Sequence, residues 1–291
     1  MKRTYSLLIA ILFFMGFQET IAQVNMPAAS PQSTINQAVG LVDVQINYSR
    51  PSVKGRKIFG EMLPYGEIWR TGANASTKIT FSDTVKIQGN TVPAGTYALY
   101  TIPEKDKWTV IISRSVDSWG AGSYKAADDA ARFEVKPSKN PKDVETFIIY
   151  FSDLTSNSAN LNLAWEKVLV SFKIETDTDK KVLASIDETM ASGNATANDY
   201  NSAASYLFES GKDLNKALEY VDAAIEKFEE QQRNVFWVHH LKAKIHGKLN
   251  QFDQAIKAAE KSKSQAQEAN NQDYVRLNDK LIKGWQTKGK S

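Results

Sequence analysis

Apolar positions alternate along the first part of the chain and recur every three or four residues along the last third. Residues 41–49 place Val42, Val44, Ile46 and Tyr48 on one face and Asp43, Gln45 and Asn47 on the other, the period of a strand with one buried side. Arg50-Pro51 ends that run. Alternation resumes over 78–82, where Ile79 and Phe81 point together, and continues through Val85 and Ile87 to a Gly89-Asn90 turn; Pro93-Ala94-Gly95 makes another turn. Residues 96–102 (TYALYTI) and 108–113 (WTVIIS) flank a polar turn and read as a hairpin. Further strands are predicted at 132–136, 145–153, 161–165 and 168–174. About ten short strands, with no helical pattern between them except around 126–131, predict an all-β antiparallel sandwich or jelly roll over residues 34–174.

A polar stretch at 175–183, containing TDTDKK, reads as a linker, and beyond it Ala, Leu, Glu and Lys dominate. Residues 184–291 are therefore predicted to be all-α helical hairpins. Asp213-Leu214-Asn215-Lys216-Ala217-Leu218 is followed at helical spacing by Val221, Ala224 and Ile225; Gln251-Phe252-Asp253-Gln254-Ala255-Ile256 is followed likewise by Ala259 and Ser262. Both segments resemble the second helix of tetratricopeptide repeats, where a small residue lets paired helices approach closely. Ala217 and Ala255 stand 38 residues apart, where that family repeats every 34 or so, and its tryptophan and terminal proline are missing. An amphipathic helix over 274–285 is expected to cap the stack.

Ahead of the strands, Lys2 and Arg3 precede an apolar run at 7–17, and Thr20-Ile21-Ala22 offers small residues before Gln23. This is the pattern of a cleavable secretory leader at 1–22, too short to span a hydrocarbon core of about 30 Å. A Pro-, Ala- and Ser-rich segment at 23–33 reads as a flexible entry. No later stretch reaches about 20 apolar residues, so the expected location is the periplasm or the extracellular space, with no transmembrane segment after cleavage. The 291 residues contain no cysteine, which removes disulfides and thiol chemistry, so stability rests on the core that a 42% hydrophobic composition can build. A net charge of +3, lower still without the leader, gives no support to nucleic-acid binding.

Little catalytic chemistry is spelled out. His239 and His246 are separated by roughly 10 Å along a helix, and His240 points elsewhere, so no metal site is expected and the three read as surface or groove-lining residues. The β region has no histidine, which excludes a histidine metal cluster or a Ser-His-Asp triad there. Gly120-Ala121-Gly122 lacks the continuation of a phosphate loop. No cofactor and no catalytic residue is assigned. Asp128, Asp129 and Glu166 supply carboxylates without a fixed geometry, and a solvated face accounts for them.

The stretch 54–77, KGRKIFGEMLPYGEIWRTGANAST, has neither strand nor helix period yet concentrates aromatics, arginines and glycines. Tyr65 and Trp69 offer flat apolar surface with a polar edge, Arg56 and Arg70 forked donors, and Asn74 a donor and an acceptor. Trp119 and Tyr124, in a later loop, have the same character and are expected to line the same end of the sandwich. The competing reading is a plug that buries its aromatics across the sandwich and uses its arginines to satisfy carbonyls and carboxylates.

Several runs of this region, Ser49-Arg50-Pro51, Gly55-Arg56-Lys57-Ile58-Phe59-Gly60, Pro64-Tyr65-Gly66, Trp69-Arg70-Thr71-Gly72-Ala73-Asn74, Pro93-Ala94-Gly95-Thr96-Tyr97 and Trp119-Gly120, resemble the signature of the domain of unknown function 2911 family over residues 30 to 174. The resemblance implies an all-β domain of secreted or envelope bacterial proteins, sometimes followed by helical repeats, and implies no established activity. The expectation is a non-enzymatic binding protein. Its sandwich takes a small polar or carbohydrate-like ligand at Arg56, Tyr65, Trp69, Arg70, Asn74, Trp119 and Tyr124, and its helical repeats take a protein partner. An envelope hydrolase using β-region carboxylates, and a purely structural scaffold, are the alternatives.

Overall fold

The computed structural model describes residues 26–288; the leader assigned to residues 1–22 lies outside them. Ten strands come first: β1 (Gln32–Val39), β2 (Val42–Ser49), β3 (Thr77–Phe81), β4 (Val85–Ile87), β5 (Asn90–Val92), β6 (Gly95–Pro103), β7 (Trp108–Ser113), β8 (Asp129–Val135), β9 (Ser138–Ser152) and β10 (Ser158–Thr176). They form a six-stranded sheet in the order β1-β2-β3-β6-β7-β8 and a four-stranded sheet in the order β5-β4-β10-β9, antiparallel throughout. The alternating positions of the sequence become the inner faces. Val44, Ile46, Ile79, Phe81, Leu99, Val110 and Ile112 of the larger sheet pack in one core with Ile87, Phe147, Ile149, Leu163, Phe172 and Ile174 of the smaller.

Two boundaries differ from the sequence expectation. The segment 23–33 was expected to be flexible up to about Thr34, yet β1 begins at Gln32 and pairs with β2 over its whole length. Its sequence, QSTINQAV, carries too few large apolar residues for alternation to reveal it. Likewise, the two strands expected at 161–165 and 168–174 are one strand, β10, interrupted by register shifts around Glu166, whose φ is +48°. The polar Glu166-Lys167 pair marks a bulge, and the bulge leaves Trp165 and Val170 both pointing inward.

Six helices follow: α1 (Thr178–Ala191), α2 (Ala197–Glu209), α3 (Leu214–Glu230), α4 (Phe236–Lys248), α5 (Phe252–Glu268) and α6 (Gln272–Lys288). The stretch 175–183 is thus the end of β10 and the start of α1, not a linker. Its polar residues are hydrogen-bonding groups: the Thr178 hydroxyl accepts from the Leu41 N–H at 3.0 Å and pairs with the Thr176 hydroxyl at 2.8 Å. Asp179 accepts from Tyr206 of α2 and from Asn157 Nδ2, and pairs with Lys212 at 3.2 Å. Together these contacts hold its carboxyl below the usual range, Tyr206 contributing most. The same contact polarity reads as a linker in sequence because solvation and docking call for the same residue types.

Capping fixes the helix starts. Thr196 and Asp199 form a reciprocal capping box on α2, and Asp213 accepts from the Lys216 N–H at 2.9 Å on α3. Ala217, Ala224 and Ala255 are fully buried where neighbouring helices meet. His239 and His246 are buried as well, which corrects the surface or groove-lining reading. His246 Nδ1 bonds Gln251 Oε1 at 2.6 Å, and the half-buried His240 bonds Asn278 Oδ1 at 2.8 Å. Among the described residues, no helix is long and apolar enough to cross a membrane.

Candidate functional site

The segment between β2 and β3 is fastened at both ends. Near its start, Val53 N–H donates to the Glu145 carbonyl at 2.8 Å and Phe147 N–H to the Pro51 carbonyl at 2.9 Å, which lays it along β9. Near its end, Trp69 and Thr101 exchange backbone hydrogen bonds of 2.7 and 2.9 Å, so that Trp69 prolongs the position of β3 beside β6. Between these points the chain must turn sharply. Gly60 has φ +88°, and a Cβ there would stand 2.6 Å from the Tyr65 ring, so only glycine fits.

This arrangement drives Ile58, Phe59 and Trp69 into the sandwich. The Trp69 ring meets Phe147 at 5.1 Å, Trp165 at 5.7 Å and Trp108 at 6.3 Å, and its Nε1–H donates to the Gly72 carbonyl at 2.9 Å. With 5% exposure, Trp69 is a core residue that closes the sandwich and offers a ligand little more than an edge. The plug expectation therefore describes this side chain. Just beyond it, Thr71 is buried at φ +53°, with its hydroxyl 3.1 Å from that of Thr101 and its carbonyl accepting from the Thr77 hydroxyl at 2.6 Å.

Arg70 departs from the plug expectation. It has neither a hydrogen-bond acceptor nor an ion-pair partner among the described residues, although its Nε is enclosed by protein. Its Nη1 lies beside Gly120, 3.7 Å from where a Cβ would stand. Arg70 also lines a cavity of about 330 Å³, together with Arg56, Trp69, Trp165, Pro51 and Leu63. Arg56 is held at the rim by donating from Nε to the Val53 carbonyl at 3.0 Å and from Nη2 to the Ser52 carbonyl at 2.6 Å. Among the described residues, no carboxylate lines this cavity. The nearby Glu166 accepts from the Ile58 N–H at 3.2 Å, and Glu145 from the Lys54 N–H at 2.8 Å, so both act on the loop backbone. The result is a small hollow with largely apolar walls to which Arg56 and Arg70 contribute, while the Arg70 guanidinium reaches toward Gly120.

The seven residues singled out from the sequence do not meet at one place. Arg56, Trp69 and Arg70 share the cavity. Asn74, at φ +63°, uses its Nδ2–H groups on the Ser49 hydroxyl at 3.3 Å and the Ser30 carbonyl at 3.5 Å, a clamp next to the cavity wall. Tyr65 lies outside it, in a separate hollow of about 240 Å³ with Lys105, Lys139 and Lys167. Trp119 is 80% exposed and is tied by a backbone bridge to Ala75. Tyr124 sits on the outer face of the larger sheet, its ring 5.4 Å from Tyr100 and its hydroxyl donating to Asp129. Arg132 donates to the same carboxylate at 3.0 Å. Burial and the Asp129 contact push the Tyr124 hydroxyl upward in pKa, so it stays protonated and structural.

Trp69 and Tyr124 stay apart because β6 and β7 pass between them: Tyr100 and Ile111 point outward beneath Tyr124, while Leu99 and Ile112 point inward toward the core that holds Trp69; Arg70 instead reaches Gly120, next to Trp119. Conversely, Pro51 and Trp165 belong to the cavity and were not singled out. Pro51 follows Ser49-Arg50 in a run that resembles the family signature, whereas Trp165 carries only the signal of a core strand. Among the described residues, no group of three or more His, Cys, Asp or Glu could hold a metal ion. No curated protein and no solved structure matches the chain. Residues 30–174, which contain the arginine-lined cavity and nearly all of both sheets, match the model of the family described as Protein of unknown function (DUF2911).

Proposed function

We propose that this chain is an exported, non-enzymatic binding protein whose sandwich captures a small polar ligand bearing an acidic group at the Arg70 cavity. The observation that carries the reading is Arg70 itself. A guanidinium with an enclosed Nε and no acceptor among the described residues is costly in isolation, and a ligand carboxylate or phosphate would supply a fork-matched acceptor. Arg56 lines the same hollow, and the apolar surface of Pro51, Leu63 and Trp165 suits the non-acidic part of such a ligand. The leader pattern at 1–22 supports an extracytoplasmic location. The helices, paired as α2 with α3 and α4 with α5 over buried alanines, support a tetratricopeptide-like surface for a protein partner.

A thermal-shift screen of the purified protein against small carboxylates, phosphate, sulfate and neutral sugars tests the reading. Acidic compounds should raise the melting temperature of the wild type and leave Arg70→Ala unmoved. A screen in which only neutral sugars stabilise both proteins would reject an acid-binding cavity. The hydrolase alternative has less support, since Asp129 is engaged by Tyr124 and Arg132 on the far side of the larger sheet.

A further inference from the structure

Two open sheets have four edges, and an edge strand exposes backbone donors and acceptors that other chains can pair with. Three of the four edges here are blunted. Strand β5 has only three residues. Strand β9 carries Lys139, Pro141, Lys142 and Asp143, and β8 carries Asp129, Arg132 and Glu134 within seven residues. The fourth edge, β1, is eight residues long, QSTINQAV, with no charge, no proline and no register shift against β2.

The phase of its hydrogen bonds is fixed by Arg50, whose N–H donates to the Pro31 carbonyl at 2.9 Å. Continuing that register, Ser33, Ile35 and Gln37 direct their backbone groups to β2, while Gln32, Thr34, Asn36 and Ala38 direct theirs away from the sheet. The side chains of these four are exposed on the outer face. Gln32 and Thr34 both bond Asn47, and Asn36 accepts from Gln45, so the strand is held straight and presented rather than frayed. On its inner side Ile35 is only half-buried at the open margin of the sandwich.

We propose that β1 is a pairing surface for a second copy of this chain, joined antiparallel about a two-fold axis at Ile35. Pairing across a two-fold sets a strand against its own sequence, so any charge near the axis would face a like charge or its close neighbour; β1 has none to oppose. In this register Thr34 of each copy faces Asn36 of the other through the outward backbone groups, and the two Ile35 side chains meet and cover each other. The larger sheets become continuous across the pair. The inference concerns a surface separate from the Arg70 cavity and does not depend on any ligand.

Sedimentation velocity of the purified protein should show a dimer. The double variants Thr34→Lys/Asn36→Lys and Thr34→Glu/Asn36→Glu should each run as monomers, because like charges then face each other, and an equal mixture of the two should run as a dimer. Since the chain has no cysteine, Ile35→Cys should form a disulfide-linked dimer on mild oxidation, whereas Leu277→Cys, exposed on α6, should not. A monomeric wild type, or a dimer that survives both charged double variants, would overturn the proposal.

Discussion

The indole of Trp69 lies nearly parallel to that of Trp165, with ring centroids 5.7 Å apart and planes 23° apart, while Arg70, which follows Trp69, has no hydrogen-bond or ion-pair partner for its side chain among the described residues. Adjacent residues in one loop thus do opposite things, and their substitutions should separate cleanly. Trp69→Ala removes a buried ring from an aromatic cluster and should cost about 3–5 kcal/mol. Arg70→Ala removes a side chain with no hydrogen bond or ion pair among the described residues and should stay within about 0.5 kcal/mol of wild type. Urea unfolding of both variants checks the pair of values, and a Trp69→Ala protein as stable as wild type would show that the loop is not part of the core.

Gly247 poses a contest between two effects. It sits within α4, where alanine is intrinsically better by about 1 kcal/mol. A Cβ at that position, however, would come within 2.4 Å of the Trp285 ring of α6, and Trp285 is itself packed among Ala243, Ala255 and Ala259. The rigid ring cannot yield without opening that cluster, so Gly247→Ala should destabilise the protein by roughly 1–3 kcal/mol. A rise in melting temperature would mean that α6 is free to move away.

His239 makes the helical region sensitive to acid. Burial, reinforced by Lys261 and Lys242, pushes its pKa down to about 4 from the ordinary 6.5, and its buried Nε2 has no hydrogen-bond partner among the described residues. Because the folded state binds the proton less well than the unfolded chain, its contribution is unchanged above pH 6.5. Stability is then lost as pH falls from 6.5 toward 4, by an amount on the order of 2–3 kcal/mol. Denaturant midpoints at pH 7 and pH 4.5 should differ in the wild type and differ less in His239→Leu, in which no proton is taken up. Equal pH dependence in the two proteins would assign the acid sensitivity to other groups.

Much of the fold was legible because its strands are buried on one face only: Val42 to Tyr48 and Ile79 to Phe81 read as strands from alternation alone. Strand β1 escaped because an edge strand over the sandwich margin needs few large apolar residues, and the start of α1 escaped because its docking groups are hydroxyls and a carboxylate. For the site, residue type pointed to the right loop, but it could not tell the inward Trp69 from its neighbour Arg70. That distinction depends on the bridge to Thr101, a long-range pairing with no local pattern. Tyr124 shares the chemistry of the loop but lies across β6 and β7 from Trp69, since sheet faces separate what composition groups together, whereas Trp119 is bridged to Ala75 and stays exposed.

Whether Arg70 binds an acidic ligand is decided by calorimetric titration with a carboxylate found in the thermal-shift screen and with its neutral primary amide. The acid should bind the wild type, the amide should bind at least tenfold more weakly, and Arg70→Ala should lose the acid while unfolding at the same denaturant concentration as wild type. Acid and amide binding alike, or an acid that binds Arg70→Ala as tightly as wild type, would contradict it.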